Sequence, residues 1–327
     1  MRALIKHEDG SVGLGERLPR PLEPGLVRVA VTATGVCGTD LHIAADEYAS
    51  EPPVTMGHEI SGRVVEVGSA DDAAWVGAHV VCETYFTTCG TCDPCRDTRR
   101  NLCRNRRSLG SFEDGGFAET VVVPVVNLHR LPEGVDPLDA FLAEPLACVA
   151  QCMLDPAVVQ PGDRVLVSGP GAVGLLAAQV ARAAGGVVTV SGLPQDAARL
   201  AVATSFGVAT TTTPEKAAWD VVIECAGAAP AVVQAFECAA PGGRVVQVGI
   251  VGREVSLPYD LVLYRELVVS SGFASTARSW RRALALLEAG QVRFEGIVTH
   301  RLPLSQWEQA FALVGSPEAI KVAIIPG

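Results

Sequence analysis

The sequence predicts an α/β chain in two parts, an N-terminal partly open β-barrel followed by a doubly wound parallel sheet. Short β-branched runs punctuated by Gly and Pro fill the first ~145 residues. Beyond Gln160-Pro161-Gly162-Asp163 the pattern becomes strands alternating with helices. The composition, 49% hydrophobic with 33 glycines and only 5% aromatic residues over 327 positions, suits an Ala/Val-rich chain with many tight turns and enough length for two cores.

In chain order, Val27 to Thr32, Gly62 to Gly68, Val80 to Cys82 and Thr120 to Pro124 alternate or run β-branched and read as strands. Arg164 to Ser168 is a short apolar run of the buried parallel type. From Val173 onward Leu176, Ala177, Val180, Ala181 and Ala184 recur at helical spacing, with Gly185 as a stop. Further strands are expected at Val187 to Ser191, Val208 to Thr212, Asp220 to Glu224, Arg244 to Gly249 and Leu267 to Gly272. The last of these is expected at a sheet edge. The domain boundaries fall at residues 1–146, 147–294 and 295–327, the last segment returning to mixed strand and helix without the repeat.

The net charge of −10 argues against a nucleic-acid surface, and no uninterrupted apolar run is long enough to cross a membrane. The opening Met1 to His7 lacks the apolar core of a secretory signal, so a soluble cytoplasmic protein with reduced thiols is expected. In that setting Cys89, Cys92, Cys95 and Cys103, in the order C-x2-C-x2-C-x7-C, point to a structural zinc lobe. Closely spaced thiolates on a tight loop reach one tetrahedral centre with little chain-closure cost; two disulfides or four unrelated thiols are the alternative. Arg96, Arg99, Arg100, Arg104, Arg106 and Arg107 lie in or beside this lobe. Their simplest reading is a solvated set of cations offsetting a negative four-thiolate zinc; a docking patch for an anionic partner is the sharper one. A closed four-sulfur site does no chemistry, so activity belongs elsewhere.

Gly169-Pro170-Gly171-Ala172-Val173-Gly174 is G-x-G-x-x-G set between a strand and a helix, where it points to dinucleotide binding. The first glycine permits the turn, the second admits a pyrophosphate, the third lets helix and strand approach, and the helix N-terminus supplies positive charge. At the end of the second strand, where NAD-binding folds carry Asp or Glu, stand Ser191 and Gly192. The missing carboxylate, with Ser191 and Arg199 as possible donors, slightly favours NADP over NAD.

Two motifs of the N-terminal part, Gly35-Val36-Cys37-Gly38-Thr39-Asp40-Leu41-His42 and Met56-Gly57-His58-Glu59, carry metal donors of mixed type, and Leu142-Ala143-Glu144-Pro145-Leu146 offers another carboxylate. Singly, Cys37 reads as core, His58 as a satisfied loop histidine and Glu144 as a helix cap. Together, in this order and followed by the cysteine lobe, Gly115-Gly116-Phe117-Ala118-Glu119 and the glycine loop, they resemble the zinc-dependent medium-chain alcohol dehydrogenases, in particular the polyol (sorbitol-like) and threonine dehydrogenase branch. The resemblance covers nearly the whole chain and implies a GroES-like barrel joined to a Rossmann domain.

By that resemblance Cys37, His58 and Glu144 are the catalytic zinc ligands, with Glu59 replacing or accompanying water as a fourth. Asp40 orients His58, Thr39 takes the alcohol proton and His42 passes it towards solvent. Lys321 falls near where some relatives place a cation on the cofactor phosphates, and Gly38 lacks a cation that some relatives carry. Tyr85 matches a substrate-lining position, and Phe112 and Phe273 are further pocket candidates; packing beneath the zinc lobe is the alternative for Tyr85. Cys82, Cys148, Cys152, Cys225 and Cys238 read as buried structural thiols, although Cys148, four residues past Glu144, is a rival metal donor.

The implied activity is hydride transfer between a secondary alcohol (a polyol, sugar, cyclitol or hydroxy-amino acid) and NAD(P), with two Zn²⁺ per chain, one catalytic and one structural. An active site between the two domains, shielded from water on closure, is implied too. A zinc-independent quinone or enoyl reductase on the same scaffold would need none of Cys37, His58 or Glu144. A zinc-lobe interaction module would hold only one ion. The expected partners are a small-molecule alcohol or ketone and a further copy of the chain, as homodimer or homotetramer, with no nucleic acid and no membrane.

Overall fold

The computed structural model describes all 327 residues. The chain divides into two compact units, Met1–Glu144 with Val298–Gly327, and Pro145–Ile297. The first division falls inside the helix Ala143–Met153, two residues before the boundary expected from sequence; the second falls three residues after its expected place.

The first unit is built on a seven-stranded sheet. Its long strand Leu26–Gly35 pairs antiparallel with Glu59–Val67, Thr120–Pro124 and the C-terminal strand Lys321–Ile325. His79–Cys82 and Leu128–Arg130 extend one side and Val298–Pro303 the other. Alternation along Leu26–Gly35 turns Val27 and Val29 into a core with Ile60, Val64, Val80, Val121 and Val123. A second core gathers Leu4, Val36, Ile43, Met56 and Phe117 with Leu304, Val322 and Ile324, which is how the C-terminal segment is held.

The register of this sheet decides where the chemistry can be. Gly35 lies opposite Glu59 on one flank and Ala323 on the other. Cys37, two residues past Gly35, and His58, one before Glu59, are thereby brought to the same end of the sheet, and Lys321 is two positions from Ala323 on the same strand.

The second unit is a six-stranded sheet, parallel throughout, in the spatial order Ala209–Thr211, Val187–Ser191, Arg164–Ser168, Trp219–Glu224, Ala239–Gln247, Val268–Ser271. Its central strands are buried, Val165, Leu166, Val167, Val221, Val222 and Ile223 all being fully covered. Helices Ala172–Ala183, Ala197–Ser205 and Ala229–Cys238 connect successive strands. The C-terminal ends are in line, Ser168 pairing with both Ser191 and Glu224, and Glu224 with Gln247. The order reverses beside Arg164–Ser168, the switch point at which open α/β sheets bind ligands. No helix is long and apolar enough to cross a membrane.

Candidate metal centres and cofactor loop

The cysteine lobe is a local construction. A short helix Asp93–Arg96 and a 3₁₀ turn Arg100–Leu102 fold the chain so that the sulfurs of Cys89, Cys92, Cys95 and Cys103 all lie within 4.8 Å of one another. The Cys103 and Cys89 sulfurs are 3.5 Å apart, far beyond a disulfide bond, and none of the ten cysteines is in a disulfide. Backbone amides of Thr91 and Cys92 hold the Cys89 thiol down to about 6, the environment of a thiolate ligand. Four converging sulfurs of this kind fit a tetrahedral zinc. Of the arginines, Arg100 donates to Thr88, Arg106 to the Cys103 carbonyl, and Arg107 to Glu51 and Glu113, while Arg96, Arg99 and Arg104 are exposed.

The second cluster is assembled from distant segments. Cys37 precedes the helix Gly38–Ala44, whose Asp40 accepts the Cys37 amide at 2.9 Å. The other Asp40 oxygen lies 3.3 Å from His58 Nδ1 and is fully buried, so the ring is oriented with Nε2 left for a ligand. Burial opposes a charge on His58, yet the Asp40 carboxylate and Cys37 carry the imidazole well above its ordinary value. One donor atom each of Cys37, His58 and Glu59 lies within 4.8 Å of the others.

Glu59 is 1% exposed. Its Oε1 accepts from Lys321 Nζ at 2.6 Å, whereas Oε2 is buried without a hydrogen-bond partner. The carboxylate lies where a Cβ on residue 35 would stand, 2.1 Å from Oε2, so Gly35 is required for it to fit. A buried carboxylate oxygen without a donor, beside a thiol and an imidazole, fits a divalent cation such as zinc.

Glu144 and Lys321 each carry a partner that the sequence does not announce. Glu144 is not among the donors that fall within 4.8 Å of one another. Its Oε1 accepts from Thr84 at 2.8 Å, and burial, opposed by His58 and reinforced by the Glu59 carboxylate, raises its pKa. Lys321 meets the Glu59 carboxylate at the metal donors, since a buried ammonium needs a counter-charge and the register supplies one. Cys148, the rival donor, is half-buried in the second unit and outside both clusters.

Thr39 Oγ1 is 3.6 Å from Cys37 Sγ. His42 is half-exposed, with Nδ1 2.7 Å from Glu47. Tyr85 is 3% exposed, its carbonyl taking a hydrogen bond from Asn127, and Phe112 lies under the Arg107 guanidinium at 5.8 Å. Phe273 belongs to the second unit and is 42% exposed.

In the second unit the glycine loop shows three distinct requirements. Gly169 has φ +99°, and a Cβ there would lie 2.8 Å from Ala226. At Gly174 a Cβ would meet the Gly169 carbonyl at 1.9 Å, but at Gly171 it would meet nothing. The first and third glycines are therefore fixed by the fold itself, and the second is open towards whatever the loop holds. The amides of Ala172, Val173 and Gly174 begin the helix Ala172–Ala183 and have no acceptor four residues back within it.

The donors expected for a 2′-phosphate are otherwise engaged. Ser191 is 4% exposed and its hydroxyl donates to the Val167 carbonyl, while Arg199 is 3.3 Å from Asp196, which also accepts the Leu193 amide. Gly192 admits Pro170 closely, at 2.9 Å from a Cβ built there. Sequence reasoning missed Glu224, fully buried, accepting the Ala226 and Gly227 amides and Gln247 Nε2; desolvation raises its pKa. It braces the backbone on which Gly169 rests. The signal was present as an acidic residue ending an apolar strand, Val221-Val222-Ile223-Glu224, followed by Gly227.

Comparison with known proteins agrees with this geometry. Residues 23–133 match the Alcohol dehydrogenase GroES-like domain and residues 172–289 the Zinc-binding dehydrogenase family. The chain is 37% identical over 344 residues to sorbitol dehydrogenase of Halalkalibacterium halodurans, covering 100% of this chain and 99% of that protein. It is 33% identical over 313 residues to D-arabitol-phosphate dehydrogenase of Enterococcus avium, covering 91% and 89%. A zinc-binding dehydrogenase of Sinorhizobium meliloti, solved with NADP bound, superposes with a TM-score of 0.89 at 34% identity over 99% of each chain.

Proposed function

This chain belongs to the zinc-dependent alcohol dehydrogenase family, and we propose that it oxidises a secondary alcohol of a polyol, sugar, cyclitol or hydroxy-amino acid with NAD(P), or runs the reverse reduction. The observation that carries this reading is the convergence of half-buried Cys37 with buried His58 and Glu59, His58 being oriented by Asp40, in a chain whose other unit carries the glycine loop. Relatives named for sorbitol and arabitol phosphate support a polyhydroxylated substrate.

Cys37, His58 and Glu144 would hold the catalytic zinc, with Glu59 as an exchangeable donor, and Cys89, Cys92, Cys95 and Cys103 the structural one. The catalytic ion, when bound, supplies Lewis acidity that lowers the pKa of the substrate hydroxyl. Asp40 keeps His58 in the tautomer that presents Nε2. Thr39 receives the hydroxyl proton; His42, half-exposed and held by Glu47, releases it to water. The amides of Ala172, Val173 and Gly174 bind the cofactor pyrophosphate, Gly171 leaving room for its approach.

NADP over NAD remains our reading of the cofactor, resting on the absent carboxylate at Ser191-Gly192. With Ser191 turned into the sheet and Arg199 held by Asp196, the preference is small. Tyr85, Phe112 and Phe273 remain substrate-pocket candidates. For assembly we propose a homo-oligomer through the edge strand Val268–Ser271, flanked by exposed Tyr259, Leu263 and Tyr264 and itself exposing Val268 and Val269. A four-thiolate lobe suits the reducing cytoplasm.

The test is a panel of polyols, cyclitols, sugar alcohol phosphates and L-threonine, followed at the reduced-nicotinamide absorbance with each cofactor, alongside zinc analysis. Turnover of a vicinal diol or hydroxy-amino acid by a protein holding two zinc ions per chain is expected. Turnover that survives complete loss of zinc would contradict the proposal.

A further inference from the structure

We infer that Lys321 is a positioning residue that keeps Glu59 displaceable, preventing it from closing the catalytic metal centre as a permanent ligand. The inference rests on the reading of Cys37, His58 and Glu59 as that centre.

Lys321 and Glu59 form an ion pair at 2.6 Å in which the side chains are 9% and 2% exposed. Neither can exchange its partner for water, so each is the main counter-charge of the other. The pair is fixed from the backbone. Gly35 sits between Glu59 and Ala323 in the sheet register, and the absence of a side chain at 35 leaves the gap through which the carboxylate reaches the ammonium.

A carboxylate can accept several hydrogen bonds or ligand bonds. One oxygen of Glu59 is tied to Lys321, and the other has no donor. Glu59 can therefore still offer an oxygen to a cation that Cys37 and His58 hold, but with its charge already partly neutralised. A donor weakened in this way gives up its place to a substrate oxygen more readily than a free carboxylate would. The same ammonium lowers the negative field felt by a bound cation. Cys37 and Glu59 present their donors together, and without Lys321 only a bound cation would balance Glu59.

Removing Lys321 should therefore change two things at once. Glu59 becomes a fixed fourth donor beside Cys37, His58 and Glu144, so the metal leaves more slowly and a substrate oxygen finds no open place. Four variants separate this from a merely structural role: wild type, Lys321→Met, Lys321→Arg, and the double variant Lys321→Met with Glu59→Gln. Zinc release to the chromogenic chelator 4-(2-pyridylazo)resorcinol is followed in each, with kcat and cofactor KM measured in parallel and folding checked by circular dichroism. The lobe zinc is identified by its absence in Cys95→Ala.

Release of the non-lobe zinc is expected to slow by about tenfold in Lys321→Met. In that variant kcat falls and cofactor KM stays unchanged. Lys321→Arg should behave as wild type, and the double variant should recover the wild-type release rate because the excess charge is gone. Release from Lys321→Met that is unchanged or faster overturns the inference, as does a rise confined to cofactor KM. If Lys321→Met fails to fold, slowed release in Lys321→Arg or release from the double variant no faster than tenfold below wild type overturns it instead. A wild-type chain that holds only the lobe zinc defeats the underlying metal-centre reading, an outcome distinct from both.

Discussion

The two clusters of candidate metal donors in this protein are made in opposite ways. Cys89, Cys92, Cys95 and Cys103 come from one loop and offer four identical sulfurs. Cys37 comes from one segment and His58 and Glu59 from another, and they offer a sulfur, a nitrogen and an oxygen, joined because Gly35 and Glu59 are opposite one another in a sheet. The first needs local chain folding alone and leaves no place for a substrate. The second inherits its geometry from the unit that surrounds it and retains a carboxylate oxygen without a partner. A closed set of like ligands stabilises; a mixed, assembled set can be left incomplete and so can catalyse.

Breaking the assembled cluster should have the largest effect on turnover. His58→Ala should remove one of two zinc ions and lower kcat/KM by at least about a thousandfold, since several kcal/mol of charge stabilisation go with the ion and each 1.36 kcal/mol is about tenfold. Metal analysis and steady-state kinetics on the same preparation check this. Thr39→Val leaves the ligands intact and removes the hydroxyl proposed to take the proton. A fall of kcat by about 10²-fold or more with both zinc ions retained is expected, within the range of general acid–base contributions.

Asp40→Asn acts one step further out. It keeps the size of the side chain but weakens the orientation of His58, so metal affinity or activity should drop by about 10–100-fold. Competition with a chelator gives the affinity directly. The contrasting variant, Cys95→Ala in the lobe, should lose one zinc and melt at a lower temperature, yet show little change in kcat/KM per correctly folded molecule. If lobe and assembled cluster proved equally damaging to chemistry in the folded fraction, the distinction drawn between them would fail. The smallest effect concerns the cofactor, where kcat/KM should favour NADP by only a few-fold. A strong NAD preference at matched concentrations would show that the missing carboxylate at Ser191-Gly192 is replaced from elsewhere.

The same contrast explains what was legible in the sequence. The cysteine spacing and the glycine loop are local patterns, and the strand and helix runs around Gly169 could be read from periodicity within a residue or two. Cys37, His58 and Glu59 have no such signature. Only the resemblance to a family brought them together, because sheet register is a long-range property. The same cause hides the pairing of Lys321, which is 262 residues from Glu59 in sequence and yet beside it in space. Nor does any spacing rule reveal that Thr84 donates to the Glu144 carboxylate. Ser191 and Arg199 were named for their chemistry, but burial in one case and a neighbouring Asp196 in the other redirect it. Side-chain commitments of this kind become visible only when every polar partner is in place.

The central claim is that the assembled cluster binds a zinc ion of its own. Anomalous diffraction at the zinc edge from crystals grown with NADP tests it most directly. Two peaks are predicted, one enclosed by the sulfurs of Cys89, Cys92, Cys95 and Cys103, the other bonded to Cys37 Sγ, His58 Nε2 and a carboxylate oxygen of Glu144 or Glu59. A single peak in the lobe from zinc-replete protein, or a second ion bound by residues other than these, would contradict the account.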